Sequence, residues 1–516
     1  MKIMTKLTLI FILTSGCLNV WPAVGRAIAI QDDLTIALTP ETVRGFDPIL
    51  YASANGVPLI QSTLLSIDND MGITYDLADE YQISDDKLTW EFKLRDDAYF
   101  SNGEQVKASD VAFTFNTAKY NGWLDLSLLK EAVVIDDYTV HFQLEKPLST
   151  FCYTAAQLGI VPENQYDEFY SLNPIGSGPY ILKEWTEEKQ AIFIRNEHYY
   201  GKKPFFKTIK ILFMDEEKAY SAAQEGLVDV AQTSQAFANA GVDGMDVLSY
   251  KGIDQYGIAF VTVPSGSEIA GKQAGNDVTS EWSIRQAINL AINRDQLINE
   301  VLYGYGEAAY NNADQLPWGY KNPESEQTNM DKAKEILKIS GWTDSDEDGV
   351  LEKQGIKAQF ILQFLETDAR AKSLATNVKQ QLREIGIEVE IIGQTRGEIN
   401  IKKYKDPIIM RTVNHNPIEL YRMYHTDYLG IGFYNTNLYY SDELDRLIEG
   451  ALDSGDYEAW QFIEKKVAED IPWTWLVSPD HLFFAKRELN IGEQALTSYE
   501  QPEFIFNNIE EWKWEE

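Results

Sequence analysis

Apolar and polar residues alternate through Lys87–Arg95, with Leu88, Trp90, Phe92 and Leu94 on one face, and again at Val140, Phe142 and Leu144. A period of two marks half-buried strands. Between these runs Ser109 precedes Asp110-Val111-Ala112-Phe113, a serine placed to cap a helix with an acid in its first turn. Ile284, Ala287, Ile288, Ala291 and Ile292 recur at helical spacing. Asn329 stands before Ala333, Ile336 and Leu337, which predicts an Asn-capped helix ending near Gly341. The stretch Pro264–Thr279 is rich in small and polar residues and predicts a surface loop. The clearest unit is 358–392. Phe360, Leu362 and Phe364 alternate; a helix starting near Asp368 puts Leu374, Val378, Leu382 and Ile385 on one face; Gly386 stops it; Ile387, Val389 and Ile391 alternate again. Strand, helix and strand with short joints predict parallel strands in one sheet, so this part of the chain is α/β.

The 516 residues point to two or three domains and contain no tandem repeat. The formal charge is −35, from 80 acidic against 45 basic residues, which argues against a nucleic-acid partner because phosphate backbones require a basic footprint. The N-terminus has the form of an export signal: Lys2 and Lys6, an apolar run from Leu7 to Leu13, then Ala27-Ile28-Ala29 as a cleavage site, giving a signal peptide over 1–29. Leu13-Thr14-Ser15-Gly16-Cys17 offers a competing reading, a lipoprotein box with Cys17 lipidated. Either predicts a periplasmic or extracytoplasmic protein. No later stretch reaches the ~18 consecutive apolar residues of a membrane span. The second cysteine, Cys152, has no partner in a chain cut after Ala29.

Catalytic signatures are missing: there is no H-E-x-x-H, G-x-S-x-G, P-loop or G-x-G-x-x-G. The five histidines (His141, His198, His415, His425 and His481) are scattered, and the chain is expected not to be an enzyme. Asp344-Ser345-Asp346-Glu347-Asp348-Gly349 resembles the start of a calcium loop, but Gly355 stands where the bidentate Glu belongs, which favours an acidic turn bent at Gly349. Tyr and Trp are plentiful, 28 and 12; most belong to the core, and some suit a cleft that buries a ligand.

Several segments, in order along the chain, carry a family resemblance. Leu94-Arg95 through Phe100, Asn102 and Gly103, followed by Ala108-Ser109-Asp110-Val111, resembles L-R-x-x-x-x-F-x-[DN]-G with A-x-D-V. Gly176-Ser177-Gly178-Pro179-Tyr180, Arg195-Asn196 through Gly201, Glu225 through Asp229, and Ile284-Arg285 through Ile298 resemble further motifs of the family 5 solute-binding proteins of ABC importers, which bind dipeptides, oligopeptides or nickel. The resemblance implies a two-lobed α/β fold of the periplasmic-binding-protein type (type II, large peptide/nickel-binding cluster). Lobe I would comprise 30–250 plus 478–516 and lobe II 251–477. Two crossing strands would form a hinge and the ligand would be buried in the interlobe cleft. The implied partners are an ABC permease and ATPase, with membrane contact only through the permease or a lipid anchor.

The ligand is narrowed by departures from the family pattern. Peptide-binding members hold the peptide amine with an Asp four residues before a Pro; here Val413 stands at that place in Arg411-Thr412-Val413-Asn414-His415-Asn416-Pro417. Nickel-binding members are somewhat more similar. Thr367-Asp368-Ala369-Arg370-Ala371-Lys372-Ser373, a cleft Tyr at Tyr51 and a cleft Trp at Trp123 in Trp123-Leu124-Asp125-Leu126 match theirs. Their ligating His directly after the Pro is Ile418 here, whereas His415 precedes the Pro by two, and Tyr120-Asn121-Gly122 and Ala155-Ala156-Gln157 lack the basic residues that hold a chelator. The expected contacts are Tyr51, Trp123, Arg411, Val413, Asn414 and His415, with His415 the candidate metal ligand. His425 and His481 are reserves for which structural roles weigh more. The expected function is capture of nickel or a metal chelate, or of a short peptide, for delivery to the permease, with no resident cofactor. The alternatives are a binder of peptides or opine-like solutes without a free α-amine, or a sensor or chaperone-like binder outside transport.

Overall fold

The computed structural model describes residues 32–38, 45–50, 59–121, 124–321, 328–412, 416–493 and 502–515. The signal segment and Cys17 lie outside them.

The β-α-β unit forms where its periodicity placed it. Strands Gln359–Leu365 and Glu388–Gln394 run parallel, with Phe360 opposite Val389 and Leu362 opposite Ile391. The helix Ala369–Arg383 between them is capped by Asp368, which accepts from Ala371 N at 2.9 Å, and buries Leu374, Val378 and Leu382 completely. Gly386 follows at φ 80°, a left-handed turn that stops the helix. Four more strands complete a six-stranded mixed sheet in the order Gly306–Ala308, Trp473–Pro479, Gln255–Ala259, Ile408–Thr412, Gln359–Leu365, Glu388–Gln394. Helices Trp282–Ala291 and Met330–Ile339 pack on it, the second capped by Asn329 as expected.

A seven-stranded sheet contains Asp33–Leu38, parallel to both Thr208–Phe213 and Val230–Thr233. A four-stranded antiparallel sheet pairs Thr89–Leu94 with Thr139–Leu144, both alternating as read from the sequence, and buries Trp90, Phe92, Val140 and Phe142 against helix Ala108–Asn121.

Two local expectations are corrected. Ser109 is not a cap: the helix begins at Ala108, and Asp110 at its third position accepts from Lys107 N at 2.9 Å, which satisfies the helix start without a serine. Pro264–Thr279 is not all loop. Ser267–Ile269 and Lys272–Ala274 pair as a hairpin, because Ala270 and Gly271 both take positive φ (49° and 73°) and Ile269 and Ala274 bury their side chains.

The chain passes from the seven-stranded to the six-stranded sheet through 251–254, between Met245–Tyr250 and Gln255–Ala259, and returns at Asp480, between Trp473–Pro479 and His481–Lys486. Ser478 Oγ ties the crossings together, donating to Gly252 O (2.7 Å) and Asp254 O (2.9 Å). Among the described residues no helix is long and apolar enough to cross a membrane. Cys152 is buried with a free thiol, and burial pushes its pKa up to about 12, so it acts as a small apolar core residue.

Candidate functional site

A cavity of about 420 Å³ lies beside the six-stranded sheet. One wall is the strand Ile408–Thr412 with the helix Ile418–Tyr424 that follows it; the facing wall is Leu124, Asp125, Thr154 and Gln157, from the region of the four-stranded sheet. Leu365, Ile399, Ile408, Met410 and Met423 supply apolar surface, and Phe433 and Tyr434 supply rings.

Three guanidinium groups reach this cavity, in different states of neutralisation. Arg422 is clamped by two carboxylates, pairing with Asp125 at 3.2 Å and with Glu419 one helical turn earlier. Burial pushes the Asp125 carboxyl upward, but the Arg422 charge and hydrogen bonds from Ser127 and Tyr428 bring it below the ordinary value. Burial dominates at Glu419 and raises its pKa despite Arg422. Arg411 pairs at 3.4 Å with Asp254, a fully buried carboxylate in the first crossing between the sheets. Arg396, the first residue of helix Arg396–Lys402, has no carboxylate partner among the described residues; its guanidinium lies 5.3 Å from the centre of the Phe433 ring. Asp368 also lines the cavity, accepting from Tyr256 OH at 3.1 Å while it caps its helix.

The loop bearing Phe433 and Tyr434 is held from behind. Tyr404 OH donates to Gly430 O at 2.9 Å, and the buried Lys403 ammonium donates to Gly430 O at 3.2 Å and to Gly432 O. Burial, with the like charge of Lys272 nearby, lowers the Lys403 pKa to about 8.

Of the residues expected from the sequence, Arg411 lines the cavity. Tyr51, Trp123, Val413, Asn414 and His415 lie outside the described residues, although Thr412, Asn416 and Leu124, their neighbours in sequence, line it. His425 and His481 are buried and do not line it. His425 Nδ1 accepts from Asp427 N at 3.1 Å. Burial, with the Arg370 and Arg411 charges, drives His481 down to about 3, which keeps it neutral. Asp344, Asp346 and Asp348 converge on an exposed turn where Lys357 reaches Asp346 (3.1 Å) and Asp348, in keeping with an acidic turn that carries its own counter-charge.

Sequence reasoning missed Arg396, Glu419, Arg422, Phe433 and Tyr434. A signal was present for two of them. Glu419 and Arg422 are a charge pair three apart in the otherwise apolar Ile418-Glu419-Leu420-Tyr421-Arg422-Met423-Tyr424, and a pair so surrounded is expected to be buried.

A cavity with apolar walls, rings and a few convergent charges has the make-up of a site for a small solute. The chain belongs to the bacterial extracellular solute-binding proteins, family 5 (the "Middle" family model), which matches residues 72–426. It is 27% identical to the oligopeptide-binding protein AppA of Bacillus subtilis (strain 168), over 89% of this chain and 87% of that one. It is also 27% identical to the nickel-binding periplasmic protein of Escherichia coli (strain K12), over 72% and 73% respectively. The crystal structure of NikZ from Campylobacter jejuni in complex with Ni(L-His) superposes with a TM-score of 0.76 at 22% identity, covering 94% of this chain and 99% of that one. The fold is therefore the two-lobed periplasmic binding-protein fold, and the chain is a solute-binding protein of the peptide/nickel family of ABC importers, not an enzyme.

Proposed function

We propose that this protein is exported and captures a small carboxylate-bearing solute, a nickel or other metal chelate, by closure of its lobes (30–250 with 478–516, and 251–477) over the cavity, and hands it to an ABC permease and its ATPase. The observation that carries the reading is Arg396: a guanidinium on the cavity wall, stacked on Phe433, with no carboxylate of its own among the described residues. A ligand carboxylate would complete it, as Glu419 and Asp125 complete Arg422. The volume of about 420 Å³ is at the small end for ligand sites, which favours a chelate over a long peptide. His415, between the cavity-lining Thr412 and Asn416 in sequence, is the proposed imidazole donor to the metal, and Tyr51, Trp123, Val413 and Asn414 are proposed further contacts.

The test is thermal unfolding of the mature protein with nickel plus L-histidine, nickel plus citrate, nickel alone, and di- to tripeptides. A ligand of the folded state at a hundredfold excess over Kd stabilises by about 2.7 kcal/mol. The expected result is a shift with a nickel chelate, lost in His415→Ala and weakened about tenfold to a hundredfold in Arg396→Ala. A shift with peptides and none with any nickel form overturns the chelate reading.

A further inference from the structure

We propose that this protein has a second binding site, separate from the cavity above, for a small uncharged polyhydroxylated solute of monosaccharide size. The site is a cavity of about 240 Å³ between helix Trp282–Ala291, helix Tyr457–Asp470 and the start of strand Trp473–Pro479. Among its lining residues are Gln286, Asn289, Tyr424, Glu464, Trp473 and Trp475. It is divided from the first cavity by a hydrogen bond: Thr412, which lines the first, donates through Oγ1 to Asn312 Oδ1, which lines the second, at 3.2 Å.

The chemistry of the lining selects the ligand class. Tyr424, 1% exposed, lines the cavity and can bring its hydroxyl to it. Asn289 Oδ1 accepts from Arg294 Nη2 at 2.8 Å, which leaves the Asn289 amide N–H groups as donors. Glu464 accepts from Tyr320 N through one oxygen at 2.6 Å; its other oxygen, like Trp473 Nε1, is buried without a partner. Burial holds Glu464 protonated at neutral pH, pushing its pKa up to about 8, so it presents a carboxylic acid rather than a charge. Arg294 donates to Ala309 O, Trp475 O and Asn289 and does not line the cavity. Only the exposed Lys332 brings a formal charge to the mouth.

Amides, a hydroxyl and a neutral acid offer donors and acceptors together, which is what vicinal hydroxyl groups require. The parallel indoles of Trp473 and Trp475, with ring centres 4.7 Å apart, add an apolar surface for the C–H face of a sugar. A cation would meet no ionised carboxylate, and an anion would meet no buried positive charge that is free to pair with it.

The experiment is calorimetric titration of the intact mature protein with D-glucose and myo-inositol, with glucosamine and glucuronate as charged probes of similar size. At least one neutral polyol is expected to bind saturably with Kd on the order of 1 mM. Tyr424→Phe, which removes only the hydroxyl, is expected to weaken it about tenfold. Gln286→Leu, at a half-exposed position of the same lining, is expected to do the same. The proposal is overturned by the absence of saturable binding of either polyol, by unchanged binding in both variants, or by tighter binding of glucosamine or glucuronate.

Discussion

Glu464→Gln is expected to stabilise the protein, and to do so far more at pH 8 than at pH 5. Glu464 is 3% exposed, and burial raises its pKa from 4.5 to about 8 although Tyr320 N donates to one carboxyl oxygen at 2.6 Å and the nearby backbone of Ala313 and Asn312 also opposes the shift. Below pH 4.5 the acid is protonated in folded and unfolded chains alike, and its titration costs nothing. Between 4.5 and about 8 the unfolded chain ionises while the folded one stays neutral, so stability falls as pH rises and the full loss is reached above the folded pKa. At about 1.4 kcal/mol per pKa unit the loss is bounded at about 5 kcal/mol, a large share of a typical folding free energy. Glutamine keeps an acceptor for Tyr320 and cannot ionise, so the variant's advantage should grow through this interval. Urea unfolding of both proteins at pH 5 and pH 8 measures it. An equal difference at the two pH values would mean that Glu464 ionises in the folded state and that the cavity beside it is more solvated than its burial implies.

What the sequence disclosed follows from which interactions are local. Asn329 and Asp368 were legible as caps because a cap bonds to the backbone N–H three residues on, within one turn. Ser109 misled because the same start is satisfied from inside the helix by Asp110. The hairpin in 264–279 was illegible because its strands are only three residues long, too short for a period to register. In the cavity, Arg411 was found because it sits in a string matched to the family pattern. Arg396 and Phe433 were not, because nothing in their own neighbourhoods marks them, and the pairing of Arg422 with Glu419 in an apolar run marks burial but not a cavity. Sheet order brings them together, with Ile408–Thr412 set beside Gln359–Leu365 and the helix Arg396–Lys402 delivered next to both. Segments 120–122 and 155–157 carry no basic residue to hold a chelator; Gln157 lines the cavity without a charge, and its guanidinium groups are those of Arg396, Arg411 and Arg422.

The same long-range logic makes Gly252→Ala the substitution expected to disturb binding most without touching the cavity. A Cβ at Gly252 would lie 2.3 Å from the carbonyl oxygen of Pro479, a backbone atom of the returning crossing that no rotamer change can move aside. The two crossings must separate, which weakens the bonds from Ser478 Oγ to Gly252 O and Asp254 O. A cost of about 1–3 kcal/mol in stability is expected from the overpacking. The functional cost has a separate route: Asp254, two residues on, is the buried partner of Arg411 at 3.4 Å, so a shifted crossing carries the carboxylate away from the guanidinium it positions in the cavity. Ser478→Ala is the control, since it removes the hydroxyl bonds at about 1 kcal/mol but leaves the strands free to stay together. Small-angle scattering with and without the best ligand of the thermal screen should show Gly252→Ala failing to reach the compact liganded form, while Ser478→Ala reaches it. If Gly252→Ala melts, binds and compacts as the parent protein does, then the crossings tolerate separation and Asp254 does not set the place of Arg411.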